Sequence, residues 1–206
     1  MGLYQRILGH PFVYNHIRPL VVGGIETSRL YARLRADHAS VILDVGCGTG
    51  DALRHLQEYE SYLGVDTDPI ALDFARKNHG HKPCTRFEAR LLEEKDVEEL
   101  APTHVILAGL LHHLTDEQAT GLLQMLCRSP RLQRIVTQDI VFLPDAFLNN
   151  FFAILDRGQY CRNASGYTRL LGGLPLKVIE SEAMLSHPDN PLGVRYWVMT
   201  LEPSSP

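Results

Sequence analysis

A glycine-rich turn after an apolar segment is the part of the sequence best suited to bind a small ligand. The segment Val41 to Val45 is apolar except for Asp44, and it runs directly into Gly46-Cys47-Gly48-Thr49-Gly50. Glycines in such a turn let the backbone approach a ligand without an intervening Cβ atom. The pattern therefore predicts a strand, a ligand-binding turn and then a helix.

The spacing of the glycines favours a ligand without phosphates. A dinucleotide fingerprint has the form Gly-x-Gly-x-x-Gly, whereas this turn has Gly-x-Gly-x-Gly followed by Asp51. An acid there competes with a pyrophosphate for the same helix dipole. The next apolar run, Leu63-Gly64-Val65, ends at Asp66, and a carboxylate at a strand end can accept both hydroxyls of a ribose.

Together the two motifs resemble the class I S-adenosylmethionine (SAM)-dependent methyltransferases, in which an Asp-x-Gly-x-Gly-x-Gly loop precedes an acid at the end of strand two. The resemblance implies an α/β, Rossmann-like doubly wound sheet, mostly parallel with an antiparallel final strand and helices on both faces. It also implies SAM as cofactor. The implied contacts are Gly46, Cys47, Gly48 and Gly50 along the methionine part, Asp44 on the loop and amino group, Asp66 on the ribose, and Thr67, Leu91 and Ala108.

The sequence departs from this family where the adenine should bind. Many members place an acid after strand three, within a Gly-Asp pair, to accept from the adenine amino group. Here the matching stretch is Glu88-Ala89-Arg90-Leu91-Leu92, which has no acid at that point. Either Leu91 contacts adenine through its backbone amide, or Glu93 takes the place of the acid.

Two adjacent histidines follow the predicted fourth strand. The segment from Leu107 to Asp116 resembles the small-molecule subgroup that includes the quinone C-methyltransferases, and it lacks the Asn/Asp-Pro-Pro-aromatic motif of enzymes that methylate base amines. A phenol, a protonated amine or a carbon acid must lose a proton, which suits histidine with its ordinary pKa of about 6.5. We expect His112 and His113 to be catalytic; alternatively, either one positions the loop through backbone hydrogen bonds.

Other functions and sites fit the sequence less well. The intact Gly46, Gly48, Gly50 and Asp66 argue against a catalytically idle SAM-binding or interaction protein that keeps the fold only as a scaffold. An NAD-dependent oxidoreductase would need a third fingerprint glycine. The histidines and thiol of His79-x-His81-x-x-Cys84 offer three zinc ligands without a nearby fourth, so we expect no metal.

Short apolar runs alternate with helical stretches from residue 41 onward, as in a parallel sheet covered by helices. Helix starts are expected at Asp68-Pro69, an N-cap followed by proline, and at Thr115-x-x-Gln118, a capping box. The predicted strands are Val41 to Val45, Tyr62 to Asp66, Thr85 to Ala89, His104 to Ala108, Arg134 to Asp139, and an antiparallel pair formed by Leu176 to Ser181 and Tyr196 to Leu201.

Two further segments are expected near the acceptor. Asp145 to Arg157 is predicted to be a helix closed by Gly158, apolar around most of its circumference and hence buried by the core, by substrate or by a second subunit. Residues 1 to 36 carry five arginines and one acid, which fits either a basic lid or a solvated helix face. Candidate acceptor contacts, all of which could equally be core residues, are Tyr4, Phe12, Tyr14, His16, Arg18, Phe147, Phe151, Arg157, Tyr160 and Tyr167.

The composition fits one methyltransferase domain over residues 1–206, with lid-like helices in 1–40 and the SAM-binding sheet in 41–202. A net charge of −4 and a pI near 6.2 argue against nucleic acid as partner. The apolar runs are too short for a membrane span, and the four cysteines are scattered, which is typical of reduced thiols. We therefore expect a cytoplasmic enzyme, possibly a homodimer, that acts on a small molecule.

Overall fold

One mixed sheet forms the centre of the fold, and the computed structural model describes residues 27–155, 159–187 and 194–204 of the chain. The strand order is β3-β2-β1-β4-β5-β8-β7, with β6 beside β5. The strands are β1 (Val41–Val45), β2 (Ser61–Asp66), β3 (Thr85–Ala89), β4 (His104–Ala108), β5 (Arg134–Phe142), β6 (Arg162–Asn163), β7 (Leu176–Leu185) and β8 (Arg195–Pro203).

The strand directions confirm the predicted Rossmann-like α/β sheet. Strands β1 to β5 are mutually parallel, while β8 pairs antiparallel with both β5 and β7. The order reverses between β1 and β4, and in open α/β sheets ligands bind in the crevice at the carboxyl ends of the strands at such a switch point. The glycine turn after β1 and the histidine loop after β4 both lie at this edge.

The helices begin where the sequence places their caps. The Asp68 side chain accepts hydrogen bonds from the amides of Ile70 and Ala71, and Thr115 and Gln118 form the predicted capping box. These bonds satisfy amide groups that have no partner within a helix. The helices are α1 (Ser28–Ala32), α2 (Pro69–His79), α3 (Glu94–Leu100), α4 (Asp116–Leu126), α5 (Phe147–Leu155) and α6 (Ala164–Arg169).

The segment after the glycine turn is a 3₁₀ turn, Asp51–Arg54, where the sequence suggested a helix. The chain must run back along the length of β1, which has five residues, to reach the start of β2, and it has only residues 51–60 to do so. A strand of that length spans about 16 Å. Ten α-helical residues would rise about 15 Å and leave none for turns. The more extended 3₁₀ geometry, followed by irregular chain, covers the distance.

Helix α1 is part of the core, which corrects the view of residues 1 to 36 as one separable lid. Leu30 and Leu34 are fully buried against the face of the sheet that also carries Ile42 and Tyr62. The basic side chain of Arg33 contacts Glu182 on β7. Residues 1–26, with Tyr4, Phe12, Tyr14, His16 and Arg18, lie outside the described residues.

Helix α5 exposes much of its apolar surface, so the described core does not cover this face, and substrate and a second subunit stay the two predicted alternatives. Phe147 is 79% exposed and Ile154 71% exposed, and Leu148 and Phe151 are also exposed. The opposite side is anchored by Asn149, whose amide donates to the Val141 carbonyl and accepts from the amide of Arg195. Neither α5 nor any other helix in the described ranges is long and apolar enough to cross a membrane.

Candidate functional site

The glycine turn between β1 and the 3₁₀ turn has the backbone that its sequence predicts. Gly46, Gly48 and Gly50 have φ of +73°, +52° and +75°, a backbone region that residues other than glycine rarely adopt. The amide of Gly46 donates to the Val65 carbonyl at 2.8 Å, which ties the turn to β2. A Cβ placed on Gly48 would meet nothing within 4 Å, so the backbone there is open to a ligand.

Asp66 ends β2 directly beside this turn. Its Oδ2 accepts from the Gly48 amide at 2.8 Å, and its Oδ1 accepts from the Asp68 amide at 2.8 Å. An ionised carboxylate offers about four lone-pair sites, so each oxygen can accept one further bond. The geometry fixes a partly exposed acceptor pair that suits two ribose hydroxyls. Thr67, the next predicted contact, is exposed beside it.

Asp44 lies beneath the turn and is nearly fully buried. The hydroxyl of Tyr62 donates to its Oδ2 at 2.6 Å. Burial raises the pKa of Asp44, the Tyr62 hydrogen bond lowers it, and the nearby acids Asp66 and Asp51 raise it; the net pKa is about 7. The sequence identified the acid but not its tyrosine partner.

Cys47 is a packing residue of the turn, in keeping with its expected role. Its thiol is buried, and burial raises its pKa well above the ordinary value, so the nucleophilic thiolate is disfavoured. A Cβ on Gly64 would stand 2.8 Å from the Cys47 Sγ and 2.9 Å from Phe87. Gly64 therefore lets the cysteine pack directly against β2.

The region expected to hold adenine offers apolar surface. Leu91 is 73% exposed, and Ile70, which the sequence analysis did not single out, is 81% exposed. Glu93, the alternative acid, is bound by Lys95 at 2.8 Å. Contact of adenine with the Leu91 backbone amide and replacement of the missing acid by Glu93 both stay predictions.

His112 and His113 lie on a 3₁₀ turn, Leu111–His113, immediately after β4. His112 is buried, and Asp139 Oδ1 contacts its Nδ1 at 2.8 Å and accepts from its backbone amide at 3.0 Å. Burial raises the pKa of Asp139, and the bonds from His112 lower it, with the net effect an increase. His113 is exposed, with its ring centroid 4.2 Å from that of His112. The two histidines therefore differ in environment.

Arg162 clamps the histidine turn from the segment after α5. Its guanidinium is buried and donates to the carbonyls of Leu111 at 2.8 Å and Leu114 at 2.7 Å, and it pairs with Asp116 at 2.6 Å. The amide of Tyr160 donates to the His112 carbonyl at 3.0 Å. Asp139 and Arg162 were both missed in the sequence, where the only signal for either was a charged residue beside apolar ones.

The predicted acceptor contacts from this segment separate into two groups. Phe147, Phe151 and Tyr160 are exposed, and Arg157 lies outside the described residues. Tyr167 is fully buried, and its hydroxyl donates to the Ile140 carbonyl at 2.7 Å. Its expected role as an acceptor contact is therefore wrong, because it supports the core.

The family comparison matches the part of the chain that contains the glycine turn and Asp66. Residues 42–131 match the family model of a methyltransferase domain, and this range contains the glycine turn, Asp66 and both histidines. No curated protein sequence matches the chain.

Solved structures show the same fold at low sequence identity. A putative methyltransferase from Haloferax volcanii, in complex with the Trm112 methyltransferase activator, has a TM-score of 0.70 and 11% identity over 100% of this chain and 99% of its own. A putative SAM-dependent methyltransferase from Listeria monocytogenes has a TM-score of 0.64 and 14% identity over 87% and 97%. Magnesium protoporphyrin IX methyltransferase from Synechocystis PCC 6803, with bound SAM, has a TM-score of 0.63 and 17% identity over 98% and 89%.

The matched range includes the open turn and Asp66 at the switch point of the sheet. This part of the chain is therefore similar to methyltransferase domains, and the turn together with Asp66 forms a site that suits S-adenosylmethionine.

Proposed function

We propose that the protein transfers a methyl group from SAM to a small molecule whose nucleophilic atom must first lose a proton. The observation that carries this proposal is the buried contact between His112 and Asp139 at the carboxyl edge of the sheet. A carboxylate behind a histidine is the arrangement that orients a general base and stabilises its protonated form.

The hydrogen bonds of His112 suggest how it acts. SAM supplies the methyl group on a sulfonium, together with a good leaving group. When Nδ1 donates its proton to Asp139, the basic lone pair lies on Nε2. His112 then takes the proton of the acceptor as the new bond to the methyl carbon forms, and the imidazolium passes this proton to solvent after product leaves. Asp139 stabilises the positive charge meanwhile.

His112 is the better candidate of the two histidines. Its Nδ1 and its amide both meet Asp139, so its ring and its backbone are fixed by one buried carboxylate oxygen. His113 is exposed, and its amide donates to the Leu110 carbonyl at 3.0 Å. We assign the base to His112, and to His113 a tilted ring contact beside it.

The exposed face of α5 supports an acceptor with an apolar part. Phe147, Leu148, Phe151 and Ile154 form an uncharged surface on the segment that also clamps the histidine turn. Pockets for small molecules are mostly apolar with a few placed polar groups. A phenol or an activated carbon acid, as in the quinone C-methyltransferases that the Leu107 to Asp116 segment resembles, combines these features.

The net charge supports a small molecule over RNA. Polyanion binding usually needs a basic surface, and the chain carries a net charge of −4. Solved structures of the same fold include both a magnesium protoporphyrin IX methyltransferase and a putative tRNA methyltransferase, so the fold alone does not choose between them.

The proposal is tested with methyl-labelled SAM and two acceptor pools from a cell extract, the low-molecular-mass metabolites and the total RNA. We expect label in the metabolite pool, and a loss of roughly 10²- to 10⁴-fold in His112→Ala with SAH affinity retained. His113→Ala is the matched control and should keep most of the rate. Label in RNA alone, or equal rates in both variants, contradicts the proposal.

A further inference from the structure

Tyr62 and Asp44 form a buried pair beneath the glycine turn. The Tyr62 hydroxyl donates to Asp44 Oδ2 at 2.6 Å, and the tyrosine is 1% exposed and the aspartate 3%. The Tyr62 ring packs edge-on against Phe87, with centroids 5.7 Å apart, so the hydroxyl has a fixed direction. Asp44 is paired with Gly64 across β1 and β2, which places the residue two positions earlier, Tyr62, diagonal to it.

The surroundings of Asp44 disfavour its charge. Asp66 from β2 and Asp51 from the 3₁₀ turn both oppose ionisation of Asp44, and burial opposes it more strongly, which raises the pKa of Asp44 to about 7. The charge of Asp44 in turn acts on Tyr31 of α1 and on the Cys47 thiol. These groups carry no positive charge. Two cations act on these groups: Arg54 pairs with Asp51 at 3.2 Å, and the charge of Arg76 lowers the pKa of Cys47.

We propose that Tyr62 is a positioning residue for Asp44, and that binding of the cofactor at the adjacent turn drives a proton from Asp44 to solvent. SAM carries a positive ammonium, a positive sulfonium and a negative carboxylate, and its product SAH keeps the ammonium and the carboxylate. An opposite charge nearby favours the ionised form of a carboxyl group, so the group that acts on Asp44 is the ammonium. Asp44 in the free protein is partly protonated at neutral pH, the ligand's ammonium displaces this proton, and the Tyr62 hydrogen bond stabilises the resulting carboxylate.

This inference rests on the cofactor site and is independent of the identity of the acceptor. The linkage makes cofactor affinity depend on pH, because the protonated protein must lose a proton before it binds tightly. Affinity therefore rises as pH rises through the value at which Asp44 ionises and levels off above it. Removal of the Tyr62 hydroxyl withdraws a bond from the carboxylate and moves this rise to higher pH.

The test is isothermal calorimetry of SAH binding in buffers with different enthalpies of ionisation. At neutral pH, wild-type protein should release about half a proton per SAH, because a group near its pKa is about half protonated. Tyr62→Phe should release more and bind SAH about tenfold more weakly, with affinity recovering at alkaline pH. Asp44→Asn should abolish the proton release.

Tyr59→Phe is the matched control. Its hydroxyl contacts Thr85 Oγ1 at 2.7 Å and its ring centroid lies 6.2 Å from that of Tyr62, so it loses the same group close by without touching Asp44. It should keep the wild-type pH profile. Wild-type binding without proton release, release that persists in Asp44→Asn, or a folded Tyr62→Phe that behaves like Tyr59→Phe overturns the inference. Should Tyr62→Phe fail to fold by circular dichroism, the wild-type and Asp44→Asn measurements still decide the matter.

Discussion

Asp139→Asn is a nearly isosteric change that separates an orienting role of this residue from a structural one. The asparagine oxygen can still accept the His112 amide proton, which Asp139 Oδ1 now accepts at 3.0 Å, so the turn should keep its place. What is lost is the negative charge beside Nδ1, at 2.8 Å. The Oδ2 atom of Asp139 has no hydrogen-bond partner among the described residues, so its replacement by an amide nitrogen breaks no hydrogen bond of this atom within the described part of the chain.

The size of the effect follows from the difference between two kinds of hydrogen bond. A bond to a charged group contributes about 1.5–3 kcal/mol, and a neutral one about 0.5–1.5 kcal/mol. The difference, roughly 1.4 kcal/mol, is about one pKa unit for the His112 imidazolium. We therefore expect the acidic limb of the pH–rate profile to move about one unit lower, and the rate at neutral pH to fall by up to about tenfold because the base is weaker.

Stability should change in the opposite sense. The pKa of Asp139 is raised in the folded protein, so its ionisation costs folding free energy once the pH exceeds the pKa of the unfolded chain. Asp139→Asn removes that cost and should be at least as stable as wild type at alkaline pH. A merely structural carboxylate would instead leave a less stable protein.

The assay combines label transfer from SAM, thermal unfolding as a function of pH, and the ¹⁵N shifts that report the His112 tautomer. Thr137→Val is the control, because Thr137 is also buried on β5 and its hydroxyl has no partner among the described residues. A wild-type rate and pH profile in Asp139→Asn, or a rate loss matched by lost stability, refutes the reasoning.

Three further predictions concern the cofactor site and the core. Asp66→Ala removes a charged acceptor from the ribose and should weaken SAH binding by about 10- to 100-fold, measured by calorimetry. The control Asp73→Ala, on the exposed part of α2, should leave SAH affinity unchanged. Equal SAH affinities in the two variants would show that Asp66 does not bind the ribose. The apo protein should lose up to about 4 kcal/mol of stability as pH rises from about 4 to about 7, since the raised pKa of Asp44 keeps a proton that the unfolded chain has lost. Asp44→Asn should not show this loss when urea unfolding is measured as a function of pH. A dependence of stability on pH identical to that of wild type would contradict the prediction. Leu30→Ala should lower the free energy of unfolding by about 2–5 kcal/mol because Leu30 is fully buried. A decrease below about 1 kcal/mol would show that α1 is not part of the core.

The sheet and the cofactor turn could be predicted because their signals are local. β1, β3 and β4 begin and end where the sequence predicts, and the glycines and Asp66 occupy adjacent strand ends by virtue of the fold. A parallel sheet brings the carboxyl ends of neighbouring strands together, so motifs at those ends meet.

The partners of the functional residues could not be predicted, because they depend on pairing between distant segments. His112 meets Asp139 only because β4 pairs with β5 in the register that sets Ala108 opposite Gln138. Arg162 reaches the same turn from the chain beyond α5. The exposed face of α5 shows a further limit, since apolar composition predicts that a surface is covered without indicating what covers it.

We propose that the protein uses SAM and a histidine base to methylate a small molecule. The decisive experiment incubates methyl-labelled SAM and the metabolite pool of a cell extract with wild type, Asp66→Ala or His112→Ala and compares the products by mass spectrometry. We expect one labelled small molecule with wild type, greatly reduced by both substitutions, with SAH binding weakened in Asp66→Ala and retained in His112→Ala. Labelling that is absent with wild type, confined to macromolecules, or unaffected by His112→Ala would contradict it.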